Sequence, residues 1–137
     1  MRLVLLFLIA VIAMACSTNP VVGKWKAVRT YDPVRKQMVP VAYEAVLELS
    51  SDGEFKVTLP GEQRTGVYEF DESGSPHRFV ATDSARRAVR GIYRVEGEKL
   101  TVRGTDDPKV DLEFLQSVDP SNDKTSFPTI ELERTTE

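Results

Sequence analysis

A single cysteine and a single histidine occur in the 137 residues. One cysteine excludes an internal disulfide, and one thiol with one imidazole leaves too few soft ligands for a transition-metal site, so no metal and no cofactor are expected. Basic residues form no block. The 18 Lys+Arg are scattered among 21 Asp+Glu for a net charge of −3, which argues against a protein that tracks nucleic-acid phosphates. There is no Gly-rich phosphate loop, no zinc-type spacing and no stretch with a sustained helical period. What remains is the composition of one globular domain, with 41% hydrophobic residues.

The longest apolar run is at the start. Arg2 supplies a short positive region, and Leu3 to Ala15 are uncharged and apolar, ending in Ala13-Met14-Ala15-Cys16. A membrane-spanning helix needs roughly 20 such residues, so the run reads as an export signal over 1–15. Cys16 directly after the small Ala15 resembles the lipobox of bacterial lipoproteins, with Ala13 where that family usually has Leu. The resemblance implies a diacylated Cys16 as the first mature residue, a tether over 16–21, and a domain held to a membrane of the cell envelope by its acyl chains. Ser17, rather than Asp, after the cysteine implies the outer membrane, facing the periplasm. The alternative is an ordinary secretory signal with Cys16 an incidental thiol.

From Gly23 onward apolar and polar residues alternate with period two, the pattern of half-buried strands. Strands are predicted over 23–31, 43–50, 54–59, 64–71, 77–83, 87–95, 98–103, 110–116 and 128–134. Asp52-Gly53 and Glu96-Gly97 sit between alternating runs where tight hairpins need positive φ. Spacing of about ten residues points to consecutive antiparallel neighbours. The expected fold is all-β, an up-and-down meander closing into a barrel of eight or nine strands over 22–134. Nine strictly alternating strands would leave the first and last parallel, so one of them must lie outside the barrel or closure is incomplete.

The predicted core takes one face of each strand: Trp25 and Ala27, Leu47 and Leu49, Phe55, Val57 and Leu59, Tyr68 and Phe70, Phe79 and Ala81, Tyr93 and Val95, Leu100 and Val102, Val110, Leu112 and Phe114, and Ile130 and Leu132. Alternate positions, among them Glu44, Glu48, Lys56, Glu69, Arg94, Thr101, Glu113 and Glu131, are expected to face water.

Gly23-Lys24-Trp25 resembles the G-x-W signature that opens the first strand of lipocalins. With Gly66-Val67-Tyr68 and Gly91-Ile92-Tyr93-Arg94-Val95-Glu96-Gly97-Glu98-Lys99-Leu100, the chain is similar to the small uncharacterised planctomycete-type domains grouped with lipocalin-like proteins. The resemblance implies a lipocalin-like barrel in which Trp25 closes the narrow end; Gly23, Gly66, Tyr68, Gly91 and Tyr93 are its further signature residues. It implies no activity and no particular ligand.

Chemistry-bearing residues are sparse. His77 opens a strand with no nucleophile or acid supplied beside it in sequence, which reads as an exposed strand-end residue. Asp119 begins a weak calcium-loop pattern, but Lys124 and Ile130 stand where an EF-hand requires Gly and Glu. Asp71-Glu72 and Asp106-Asp107 fall in turns. An enzyme is therefore not the expected reading. If strands alternate in direction from the Trp25 end, segments 32–42, 60–63, 83–86 and 104–109 form the mouth. By parity Arg29, Tyr31, Arg64, Asp83 and Arg87 then point inward, where guanidiniums could receive an acidic head group. The first reading is a non-enzymatic, lipid-anchored envelope protein whose barrel holds a small hydrophobic or amphiphilic ligand. The alternative is an interaction or structural module with a filled barrel, its protein partner unknown.

Overall fold

A computed structural model describes residues 20–109, 117–119 and 127–136. The signal segment, Cys16 and the strand expected over 110–116 lie outside the described residues. The strands are β1 (Gly23–Asp32), β2 (Gln37–Pro40), β3 (Val46–Leu49), β4 (Glu54–Leu59), β5 (Glu62–Asp71), β6 (His77–Asp83), β7 (Ala88–Glu96), β8 (Lys99–Thr105) and β9 (Thr129–Arg134). All pairings are antiparallel, each strand from β3 to β9 beside the next, and β9 returns to β1 from Trp25 to Thr30. This closes a barrel of eight strands, with β2 as an addition.

β8 pairs β9 directly, so the eight strands that close the ring alternate in direction without a parity conflict, and β2 is an extra strand on β1. One edge of β1 pairs β9; the other is shared, with Gly23–Lys26 against β3 and Arg29–Asp32 against β2. Between Pro40 and Val46 the returning chain has five residues facing only Ala27 and Val28, so this stretch bulges out of the ladder. The connection expected over 32–42 is thus a hairpin. Asp32 Oδ1 accepts from the Val34 and Arg35 N–H groups (2.9 and 3.3 Å), and Lys36 completes the turn at φ 55°. Pro40 is tolerated because β2 sits at an edge.

The interior follows the alternation. Trp25, Ala27, Leu49, Phe55, Tyr68, Phe79, Tyr93, Leu100 and Leu132 form one buried cluster, with Leu47, Val57, Phe70, Ala81, Val95, Val102 and Ile130 packed against it. Phe70 anchors the aromatic part, its ring centroid 5.3 Å from Tyr68, 5.5 Å from Phe79 and 4.5 Å from Tyr93. Such offset and tilted pairs are favourable beyond the area they bury.

One end of the barrel is sealed. Trp25 is wholly buried and its Nε1 donates to the Val21 carbonyl (2.9 Å). Arg134 lies over the indole, 4.3 Å from its centroid, and its Nη1 and Nη2 donate to the carbonyls of Val22 (2.9 Å) and Pro20 (2.8 Å). Stacking satisfies the π face while the in-plane N–H groups remain free for carbonyls. Gly23 makes room: at φ 139°, any Cβ it carried would sit 2.5 Å from Arg134 Nη1. The expected tether over 16–21 therefore stops short of Val21, which belongs to the core.

Two positions expected to face water do not. Thr101 is buried, and the Glu131 side chain is only 17% exposed, held between Arg29 (2.9 Å) and Lys99 (3.7 Å). Ile92 and Arg103, also on the outward parity, are fully buried. Ile92 packs with Val118 and Phe127, and Arg103 Nη1 donates to the Ser117 carbonyl (3.1 Å). Ser117, Val118 and Phe127 thus lie against the outside of the barrel there, adding a layer that strand alternation alone does not show.

Candidate functional site

The turns at 60–61, 84–87 and 105–109 and the β1–β2 hairpin lie at the end opposite Trp25. Below this mouth the interior is not filled. A cavity of about 300 Å³ is lined by Leu47, Val57, Leu59, Phe70, Ala81 and Val102, with Arg64, Asp83, Arg87 and Asp106 among the polar residues of its wall. A lobe of about 200 Å³ shares Leu47, Val57, Leu59 and Val102, and is bordered by Thr30, Val41 and Tyr43. The aromatic cluster, through Phe55, Tyr68, Phe70 and Phe79, also borders this space.

Three of the five residues expected at the mouth, Arg64, Asp83 and Arg87, line this cavity. Arg29 and Tyr31 do not. In the β1–β9 ladder Ala27 faces Leu132 and Arg29 faces Glu131, so two residues of β1 advance against one of β9. This bulge at Val28 reverses the parity beyond it. Arg29 therefore meets Glu131 on the outer side, and Thr30 takes the inward place in the smaller lobe. Sequence reasoning passed over Thr30 for this reason. Asp106 was legible as a mouth-turn acid but was not singled out.

Asp83 organises its own hairpin. Its Oδ1 accepts from the Ala85 and Arg87 N–H groups (both 2.9 Å), and its Oδ2 from Arg87 Nε (3.1 Å). These bonds, the Arg87 backbone N–H foremost, hold its carboxyl below the usual range, with the Arg87 charge adding to them. Arg64 Nε donates to Glu62 (2.7 Å). The mouth arginines are thus oriented by carboxylates through their Nε edges, and the rim is close to neutral.

No family model matches the chain, and no curated protein matches it. Among solved structures, it is similar to a de novo designed fluorescence-activating β-barrel. The match has 16% identity and a TM-score of 0.44, covering 83% of this chain and 93% of that one.

The signature glycines acquire physical roles. Phe55 Cε1 lies 2.7 Å from where a Gly66 Cβ would be, and Gly91 faces the backbone of Arg103 and Gly104. Both are points where neighbouring strands approach too closely for a side chain, as curved barrel sheets require. Tyr68 donates from its hydroxyl to the Ser50 carbonyl (2.5 Å), tying β5 to the turn before β4. Burial, with a smaller effect of Asp52, pushes its phenol up. His77 is exposed at the start of β6, its ring 5.5 Å from that of Tyr93. No group of three His, Cys, Asp or Glu gathers among the described residues.

Asp83 gives a pH expectation. Its folded pKa is depressed, so its contribution is present at neutral pH, above the ordinary carboxylate value of about 4, and is lost as pH falls through the folded value. Asp83→Asn is expected to lower the Tm at pH 7 and to flatten the fall of Tm with acid below about pH 4. Thermal melts of both proteins between pH 2 and pH 7 check it. Parallel Tm–pH curves would show that the hairpin does not depend on this carboxylate.

Proposed function

We propose that this chain is a non-enzymatic, lipid-anchored protein of the cell envelope whose barrel binds a small hydrophobic or amphiphilic molecule. The observation that carries the binding reading is the apolar cavity beneath the mouth, of about 300 Å³ with an adjoining lobe of about 200 Å³. Ligand pockets begin at about that size, are mostly apolar, and carry a few polar groups that set orientation. At roughly 30 Å³ for each heavy atom, the volume of a water in the liquid, the larger space takes about ten. The ligand is therefore small: a short acyl chain or a single fused-ring system, not a phospholipid. The mechanism is equilibrium binding, with apolar burial driving entry and Arg64, Arg87 and Asp106 meeting the polar end at the rim. Anchoring rests on the Ala15-Cys16 junction after the apolar leader.

Native mass spectrometry of the full chain isolated from its own envelope tests both parts. A diacyl mass increment on Cys16 supports the anchor, and a non-covalent small molecule supports the cavity. Ala81→Phe places a ring in the cavity with room to accept it, and is expected to leave the fold intact and reduce binding of a small neutral fluorescent probe, 1-naphthylamine, at least tenfold. Probe binding that is unchanged by Ala81→Phe, or absent in the parent, would remove the cavity reading and leave the filled-barrel interaction module.

A further inference from the structure

The sealed end has a second concavity, separate from the mouth. It measures about 350 Å³ and is lined by Pro20, Glu72, His77, Tyr93, Gly97 and Arg134, with Val95 beside them. Tyr93 is 3% exposed, yet its hydroxyl is buried with no hydrogen-bond partner among the described residues. A buried polar group without a partner is rare in a folded protein and asks for an explanation. Burial, with the negative charges of Glu72 and Asp71, pushes this phenol up to about 12. It is neutral at pH 7, with oxygen lone pairs to offer.

The surrounding turns are predominantly acidic, with Arg94 paired to Glu96 (2.9 Å). Turn segments 50–54, 71–76 and 96–99 carry Asp52, Glu54, Asp71, Glu72, Glu96 and Glu98 against Lys99 alone. The cation in the wall is already committed: Arg134 stacks on Trp25, donates to Pro20 and Val22, and lies 3.6 Å from Glu98. Such an end attracts cations and repels anions. The ring of Tyr93 adds an aromatic face, which favours the same sign, with the His77 ring 5.5 Å away.

We propose that this closed-end pocket binds a primary ammonium group, which donates to Tyr93 Oη and to the Glu72 carboxylate and rests against the aromatic rings. The group needs N–H donors, because the hydroxyl oxygen and the carboxylate are acceptors. Two sources share this chemistry, a free alkylamine and a lysine side chain on a protein partner. The site is independent of the mouth cavity and of any ligand there.

His77 is the only histidine, so its imidazole resonances are an unambiguous reporter beside the pocket. The full chain is titrated at fixed pH with cadaverine, a Gly-Lys-Gly peptide, tetramethylammonium and 1-pentanol. Cadaverine and the peptide are expected to shift the His77 signals saturably, whereas tetramethylammonium and pentanol bind at least tenfold more weakly. Preference for the peptide identifies a protein partner, and preference for cadaverine identifies a free amine. Glu72→Gln and Tyr93→Phe are each expected to weaken cadaverine binding at least tenfold. Tyr93→Phe removes a hydroxyl that has no partner among the described residues, so its Tm is expected to equal or exceed that of the parent, which separates lost binding from lost folding. Equal responses to pentanol and cadaverine, no saturable shift, or unaltered affinity in both variants overturns the proposal.

Discussion

Trp25→Ala is expected to destabilise the barrel by about 3–5 kcal/mol, the range for truncating a fully buried aromatic. The loss is more than a cavity. Arg134 loses the ring it stacks on, the Val21 carbonyl loses the indole donor, and the first and last strands lose the side chain that both grip. Trp25→Phe keeps most of the volume and is expected to cost less, with about 1 kcal/mol for the missing hydrogen bond. Because Trp25 is the only tryptophan, urea unfolding must be followed by far-UV circular dichroism. A loss below about 1 kcal/mol for the alanine variant would show that the sealed end does not hold the barrel together.

Gly91→Ala is expected to be nearly as damaging, about 3 kcal/mol or more, although it adds a single methyl group. The new Cβ would overlap the Arg103 carbonyl oxygen and come within 2.6 Å of Gly104 Cα. Both neighbours are backbone in the next strand, so relief requires β7 and β8 to separate. Gly97→Ala is the control. Gly97 has φ 60° and open space around it, so alanine there carries only the left-handed backbone penalty of about 1–2 kcal/mol. If urea midpoints rank Gly97→Ala below Gly91→Ala, the close approach of β7 and β8 is not what fixes the glycine.

How far the sequence could be read depended on whether a residue obeyed the two-residue period. From Trp25 to Leu132 the side chains of the interior cluster follow it, because a closed barrel gives each strand one inside and one outside; Ile92, Thr101 and Arg103 are buried on the other face. The period failed where the backbone gained a residue without marking it. Val28-Arg29-Thr30-Tyr31 contains no glycine, so the bulge that sends Arg29 to Glu131 has no signal in the sequence. β2 was hidden by Pro33 and Pro40 and by a lysine, not a glycine, at its left-handed turn position. Arg64, Asp83 and Arg87 were legible at the mouth because β5, β6 and the turn after it keep strict register. The closed-end pocket was not, since Tyr93 reads simply as a core aromatic until its hydroxyl is seen without a partner among the described residues.

The clamp of Arg134 on Pro20 and Val22 also fixes a direction. Whatever is attached upstream of Pro20 meets the barrel at its sealed base. The ten residues of β1, rising roughly 3.3 Å each along a strand tilted by about 40°, place the opening some 25 Å higher. Four links from Cys16 to Pro20 reach about 14 Å at full stretch, too short a leash for the domain to invert. Under the proposed mooring at Cys16, the opening therefore cannot be turned flat onto the surface to which the chain is tied. A ligand of the proposed cavity would then enter from the side away from the anchor.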